Sequence, residues 1–163
     1  LVYLILIIYE LKRNSRKNIL IRQQIKYFLN GYTLSCSSRP NGGGGGVCVY
    51  VSEKLEASVT DIPLTGAEAM MVRISRSGML VSTVLAVYRT PSVGPPEFLA
   101  DLGALLPTLP SNSAVVGDLN FDLNPENELD SFSLDYLRIM SSIGFYNIIN
   151  SPKIGRASCR ERV

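Results

Sequence analysis

Val115-Val116-Gly117-Asp118-Leu119-Asn120-Phe121-Asp122-Leu123 runs from a short apolar stretch through a glycine to a carboxylate, with a carboxamide two residues later. In an extended segment, residues two apart project to the same side. Asp118 and Asn120 are therefore expected to point together beyond a strand end. Buried polar side chains cost free energy unless a metal, a water or a substrate meets them, so chemistry is sought here first. The plainest reading is a strand followed by an Asx-rich turn, which needs no function. A calcium loop fits Asp118, Asn120 and Asp122 at its first, third and fifth positions. It fails at Leu123, where glycine is required, and at Leu129, where glutamate is. A phosphate loop fails too, because the glycines at 42–46 run into Val47 and not Gly-Lys-Ser/Thr.

Outward from this stretch the pattern is that of a mixed sheet. Leu1–Tyr9 is continuously apolar, as in a buried strand, and Glu10 ends it. Ile21, Ile25, Phe28 and Leu29 recur at helical spacing before Gly31. Strands are expected at Tyr32–Cys36, Val47–Val51, Leu55–Thr60, Met70–Ile74, Met79–Tyr88 and Ala114–Val116, with a hairpin turn at Arg76-Ser77-Gly78. Thr90–Pro96 is a loop that limits where the next helix starts. Phe98, Leu99, Leu102, Leu105 and Leu106 mark that helix, closed by Pro107 and Pro110. Phe132, Tyr136, Leu137, Met140 and Ile143 mark another, with Asp130 or Ser131 as cap and Gly144 as stop. Phe145–Ile149 is expected to begin a further strand. Hairpin-joined strands with helices before and after predict an α/β fold: mixed β-sheets packed by helices.

The 163 residues, 46% hydrophobic and 18% charged, suffice for one domain with a core. Ile154–Val163 resembles one translated frame of a common sequencing-adapter oligonucleotide and is set aside, as a fusion scar would be. That leaves 1–153 as the domain, and its formal charge is zero. Residues 1–40 nevertheless carry a net +6 and residues 41–153 a net −6. A basic arm on an acidic body permits a nucleic-acid partner, and a solvated face accounts for it equally well. The chain has no histidine, which excludes Ser-His-Asp triads, Cys-His pairs and histidine-bearing metal sites. Cys36 and Cys48 read as small buried residues in a reducing, intracellular setting. Leu1–Tyr9 is too short to span a bilayer, which takes about 20 residues, so no membrane association is expected.

Val87-Tyr88-Arg89-Thr90-Pro91, then a helix, then Val116-Gly117-Asp118-Leu119-Asn120-Phe121-Asp122 resembles the endonuclease/exonuclease/phosphatase superfamily. More narrowly, it is similar to the apurinic-type endonuclease domain of non-LTR (LINE-like) retrotransposon polyproteins. Gly31-Tyr32, the glycines before Val47-Cys48-Val49-Tyr50-Val51, and Gly144-Phe145-Tyr146-Asn147-Ile148-Ile149-Asn150 match the same branch. The resemblance covers most of residues 31–152.

The resemblance implies a DNase I-like sandwich of mixed β-sheets flanked by helices. It also implies Mg²⁺-dependent hydrolysis of DNA phosphodiesters, nicking a target for reverse transcription. Asp118 would orient or deprotonate the attacking water. Asn120 would hydrogen-bond the nucleophile and a phosphate oxygen, Tyr88 would contact the scissile phosphate, and Glu10 would bind the metal. DNA is then the partner, a reverse-transcriptase domain is expected downstream, and the setting is nuclear. Asp122 is expected to brace the loop. The family's Glu is usually followed by Thr-Trp, whereas Glu10 is followed by Leu11-Lys12. An earlier asparagine and a closing Ser-Asp-His segment have no counterpart. The chain is therefore expected to be a piece of the domain, truncated at both ends and inactive by itself. An inert remnant of a retroelement, and a phosphoesterase acting on lipid or inositol phosphates, are the alternatives.

Overall fold

The computed structural model describes residues 4–9, 29–38, 46–91, 93–123 and 127–146. Glu10, the expected helix through Ile21, Ile25 and Phe28, residues 147–149 of the last expected strand, and the segment 154–163 lie outside them.

Among the described residues, seven strands form two sheets. β1 (Leu4–Tyr9) and β2 (Tyr32–Ser38) pair antiparallel on either side of β3 (Gly46–Ser52), giving the order β1-β3-β2. The second sheet runs β4 (Glu56–Leu64), β5 (Ala67–Arg76), β6 (Met79–Arg89) and β7 (Ser113–Asp118). Its strands are antiparallel except β6 and β7, which are parallel. The fold is α/β with one mixed sheet, as the sequence predicts.

The β5–β6 connection is a two-residue hairpin. Ser77 (φ 53°) and Gly78 (φ 74°) both take positive φ, the type I′ geometry whose twist matches that of the strands it joins. Glu56 of β4 accepts hydrogen bonds from the Ser77 and Gly78 amides at 3.3 and 3.2 Å, so the neighbouring strand braces the turn. β4 is longer than expected and contains Pro63. It is an edge strand, where a missing N–H removes no essential ladder bond.

Strand alternation divides the central sheet between two cores. Val84, Ala86 and Tyr88 of β6, with Met70 and Val72 of β5, meet Val47, Val49 and Val51 of β3 across the gap between the sheets. Leu85 and Val87 face the other way, with Leu64 and Ala69, onto a helical layer. That layer is α1 (Pro95–Leu105) and α2 (Ser131–Ser142). Phe98, Leu102 and Leu106 are fully buried against the sheet, with Tyr136 and Met140 beside them. Pro95 and Pro96 occupy the first turn of α1, where a missing N–H costs nothing. The Asp130 carboxylate caps α2, accepting from the Ser133 amide at 2.8 Å. Asp130, of the two cap candidates, is thus the cap. Phe145 and Tyr146 follow Gly144 outside any strand, where a strand was expected to begin. Among the described residues no helix is long and apolar enough to cross a membrane.

The reading of the two cysteines is corrected. Cys36 and Cys48 are not merely small buried residues. They face each other in the β2–β3 register and form a disulfide. Residue type and separation do not reveal such a pairing, because it needs the two strands to be neighbours in that register. A cross-link closing a loop of this length (12 residues apart) stabilises by about 3 kcal/mol. The double variant Cys36→Ser/Cys48→Ser is expected to lose that amount in urea unfolding, relative to the oxidised chain.

The β4–β5 turn is tied to α1. Asp101 Oδ2 accepts the Thr65 amide at 2.8 Å. Bonds from the Thr65 side chain and then its backbone hold the Asp101 carboxyl below its ordinary value. A carboxylate depressed in the folded state adds stability above its unfolded pKa and loses it as pH falls through the folded value. The chain should therefore lose stability below about pH 4. Asp101→Asn should remove part of that dependence in urea titrations at neutral and acidic pH.

Candidate functional site

β6 and β7 end side by side. Tyr88 and Asp118 are register partners in the parallel pair, and Glu68 of β5 is the partner of Tyr88 in turn. Partners across a sheet share a face. The row Glu68–Tyr88–Asp118 therefore lies on the face turned to the other sheet, one step past Met70, Ala86 and Val116 of the inter-sheet core. All three are buried, at 7%, 6% and 9% exposure. Two carboxylates and a phenol thus close one end of an apolar core, at the carboxyl ends of the parallel strands. That is where open α/β sheets bind ligands.

β7 reaches this position only because residue 117 is glycine. Gly117 lies opposite Val87 with φ 147°, and a Cβ there would fall 1.8 Å from the Val87 carbonyl oxygen. Any side chain must push the two strand ends apart.

Past Asp118 the chain departs from the extended path assumed from sequence. Asn120 takes a left-handed conformation (φ 51°), which asparagine tolerates better than most residues. Its amide donates to Asp118 Oδ1 at 3.1 Å, closing an Asx-turn. Its carboxamide Nδ2 swings back to β6 and donates to the Arg89 carbonyl at 2.6 Å. Asp118 and Asn120 are brought together, then, by a turn and not by strand alternation. Asp122 Oδ2 accepts from Asn127 Nδ2 at 2.7 Å, bridging the next loop. Tyr88, Asp118 and Asn120 therefore converge. Glu10 lies outside the described residues.

Arg89 stands inside the motif, yet the resemblance gives it no role. Its side chain has the parity of Leu85 and Val87 and turns towards the helical layer. The guanidinium is buried, with the residue 5% exposed. Nε donates to Leu119 O at 2.6 Å, Nη2 to Asn120 O at 2.8 Å and Nη1 to Val93 O at 3.2 Å. It also lies 4.6 Å from the centroid of Phe121, whose ring stacks on Tyr136 at 5.1 Å. Burial lowers the guanidinium pKa, and the charges of Asp118 and Asp130 oppose that shift. Burial raises the Tyr136 phenol.

Sequence reasoning does not find Glu68 either. Its only signal is a charge placed just before the apolar run Ala69–Val72. Among the described residues no group of three or more His, Cys, Asp or Glu gathers to hold a metal. A magnesium ion takes one or two carboxylates and keeps several waters, so Asp118 at the strand end suits it as a single hard-oxygen donor. Compared with protein-family models and with curated proteins, the chain matches none.

Gly117→Ala is expected to destabilise the chain by more than ~3 kcal/mol. It should also abolish amide-exchange protection in β7 while α1 retains it. Equal stability, measured by urea unfolding, would show that the strand ends can separate freely.

Proposed function

We propose that the domain encoded here is an Mg²⁺-dependent DNA endonuclease of the DNase I-like, retrotransposon type. What carries the reading is the convergence of Tyr88, Asp118 and Asn120 at the carboxyl ends of β6 and β7. These are the residues to which the sequence resemblance assigns phosphodiester chemistry. Two stacked sheets with helices on an outer face also fit that architecture.

In this reading the Asp118 carboxylate accepts the proton of, or orients, a water attacking phosphorus. The water oxygen bonds to phosphorus as the P–O bond to the 3′ oxygen breaks, and that oxygen takes a proton from solvent, leaving a 5′ phosphate and a 3′ hydroxyl from which reverse transcription can start. The Asn120 carboxamide, anchored to the Arg89 carbonyl through Nδ2, presents its remaining polar atoms to the nucleophile and a phosphate oxygen. The Tyr88 phenol donates to the phosphate. A bound Mg²⁺ would offset charge developing on the phosphorus oxygens, with Asp118 and Glu10 as its protein donors. DNA is the partner, a reverse-transcriptase domain in the same polyprotein acts on the nicked end, and the nucleus is the setting.

With no histidine in its sequence, the chain is expected to bind duplex DNA in an Mg²⁺-dependent manner without turning it over. Fluorescence anisotropy with a labelled duplex checks this. Tyr88→Phe and Asn120→Ala should each weaken binding roughly tenfold, the worth of one hydrogen bond to a charged group. A folded chain whose DNA binding ignores Mg²⁺ and both substitutions sinks the nuclease reading. Plasmid nicking that disappears in Asp118→Ala would uphold the nuclease while refuting the inactivity.

A further inference from the structure

We infer that Arg89 is a positioning residue for DNA phosphate binding, acting through Asn120. The inference rests on the nuclease reading and extends it to a residue with no access to substrate. Each of the three guanidinium nitrogens donates to a backbone carbonyl, at Leu119, Asn120 and Val93. The group is buried on the helical side of the sheet, away from a phosphate at the strand end. What the guanidinium does instead is hold two loops in one place. One loop follows β6 and the other follows β7, and Asn120 belongs to the second.

The bonding is reciprocal. The Arg89 side chain donates to the Asn120 carbonyl, and the Asn120 side chain donates to the Arg89 carbonyl. Each residue fixes the other's backbone. Asn120 makes this exchange from a left-handed conformation, and the bond from its amide to Asp118 Oδ1 links it to the carboxylate. One edge of the Asn120 carboxamide is thereby committed to β6, and the other keeps a fixed direction.

The geometry also makes arginine specific here. A planar fork reaches three carbonyls in fixed directions, and a lysine ammonium on a flexible stem does not. Lysine keeps the charge, and so the balance with Asp118 and Asp130, but gives up the fork. Arg89→Lys therefore separates positioning from charge.

The test uses the full chain with Mg²⁺ and a labelled DNA duplex. Arg89→Lys is expected to remain folded, by circular dichroism, and to bind roughly tenfold more weakly. Asn120→Ala should lose a similar factor, and the double variant should be no weaker than either single one, because residues acting through one another do not add. Glu56→Gln, which loosens the Ser77-Gly78 turn at the opposite end of the sheet, should bind as the unaltered chain does. Unchanged affinity in Arg89→Lys, or multiplicative losses in the double variant, would overturn the inference. A second readout needs no DNA: the side-chain NH₂ resonances of Asn120 by ¹⁵N NMR. They should be split and shifted by the bond to the Arg89 carbonyl in the unaltered chain and collapse towards solvent values in Arg89→Lys. Resonances that stay in place refute the positioning role. If the unaltered chain shows no Mg²⁺-dependent DNA binding, the nuclease reading fails, and with it Arg89's role towards a phosphate, whatever the resonances do.

Discussion

β7 approaches β6 so closely that only a hydrogen atom fits between the Gly117 Cα and the Val87 carbonyl. This constraint comes before the others. It brings Asp118 level with Tyr88, and it sends the chain out of the sheet at a point where the β6 backbone can bond to Asn120. The Asx-turn at Asn120, the reciprocal bonds with Arg89 and the stacking of Phe121 on Tyr136 all begin from that approach. Glycine here is a matter of space as much as of φ.

Strand β6 serves two interiors through alternation. Its even-numbered residues from Val84 to Tyr88 look towards the facing sheet, and its odd-numbered ones from Leu85 to Arg89 look towards the helices. The last residue on each side is polar. Tyr88 closes the inter-sheet core beside Asp118, and Arg89 closes the helical core beneath Phe121. The site is thus assembled at the common end of two cores, and its loop is held from behind by the helical layer.

Much of this is legible in the sequence, for identifiable reasons. Continuous apolar runs locate β3, β5 and β6, which are buried on both faces, and helical spacing locates α1 and α2, because burial of one helix face leaves a periodic trace. The Ser77-Gly78 turn is legible because its geometry needs positive φ. Tyr88, Asp118 and Asn120 stand out by motif, but the route joining them does not. The extended path expected for residues 118–120 is broken at Asn120 by a hydrogen bond to a strand thirty-one residues earlier, which no local pattern encodes. The Cys36–Cys48 disulfide and the row through Glu68 depend on register between strands, and are hidden for the same reason. Arg89 is in plain view, but it has no partner until Leu119, Asn120 and Val93 are placed around it.

A buried guanidinium is costly unless its donors are satisfied and its charge is balanced. Here carbonyls satisfy the donors, and the opposing charges of Asp118 and Asp130 stand near enough to matter. Asp130 is also the cap of α2, so the helix that supplies Tyr136 to the stack starts at a charge that Arg89 feels. An all-carbonyl acceptor set has a further consequence. Had Arg89 paired bidentately with Asp118, the pair would neutralise that carboxylate. By bonding to backbone instead, Arg89 supports the Asp118 carboxylate from a distance and does not take up its oxygens. Holding a loop through its carbonyls is how a positive charge can support an acidic site without occupying it.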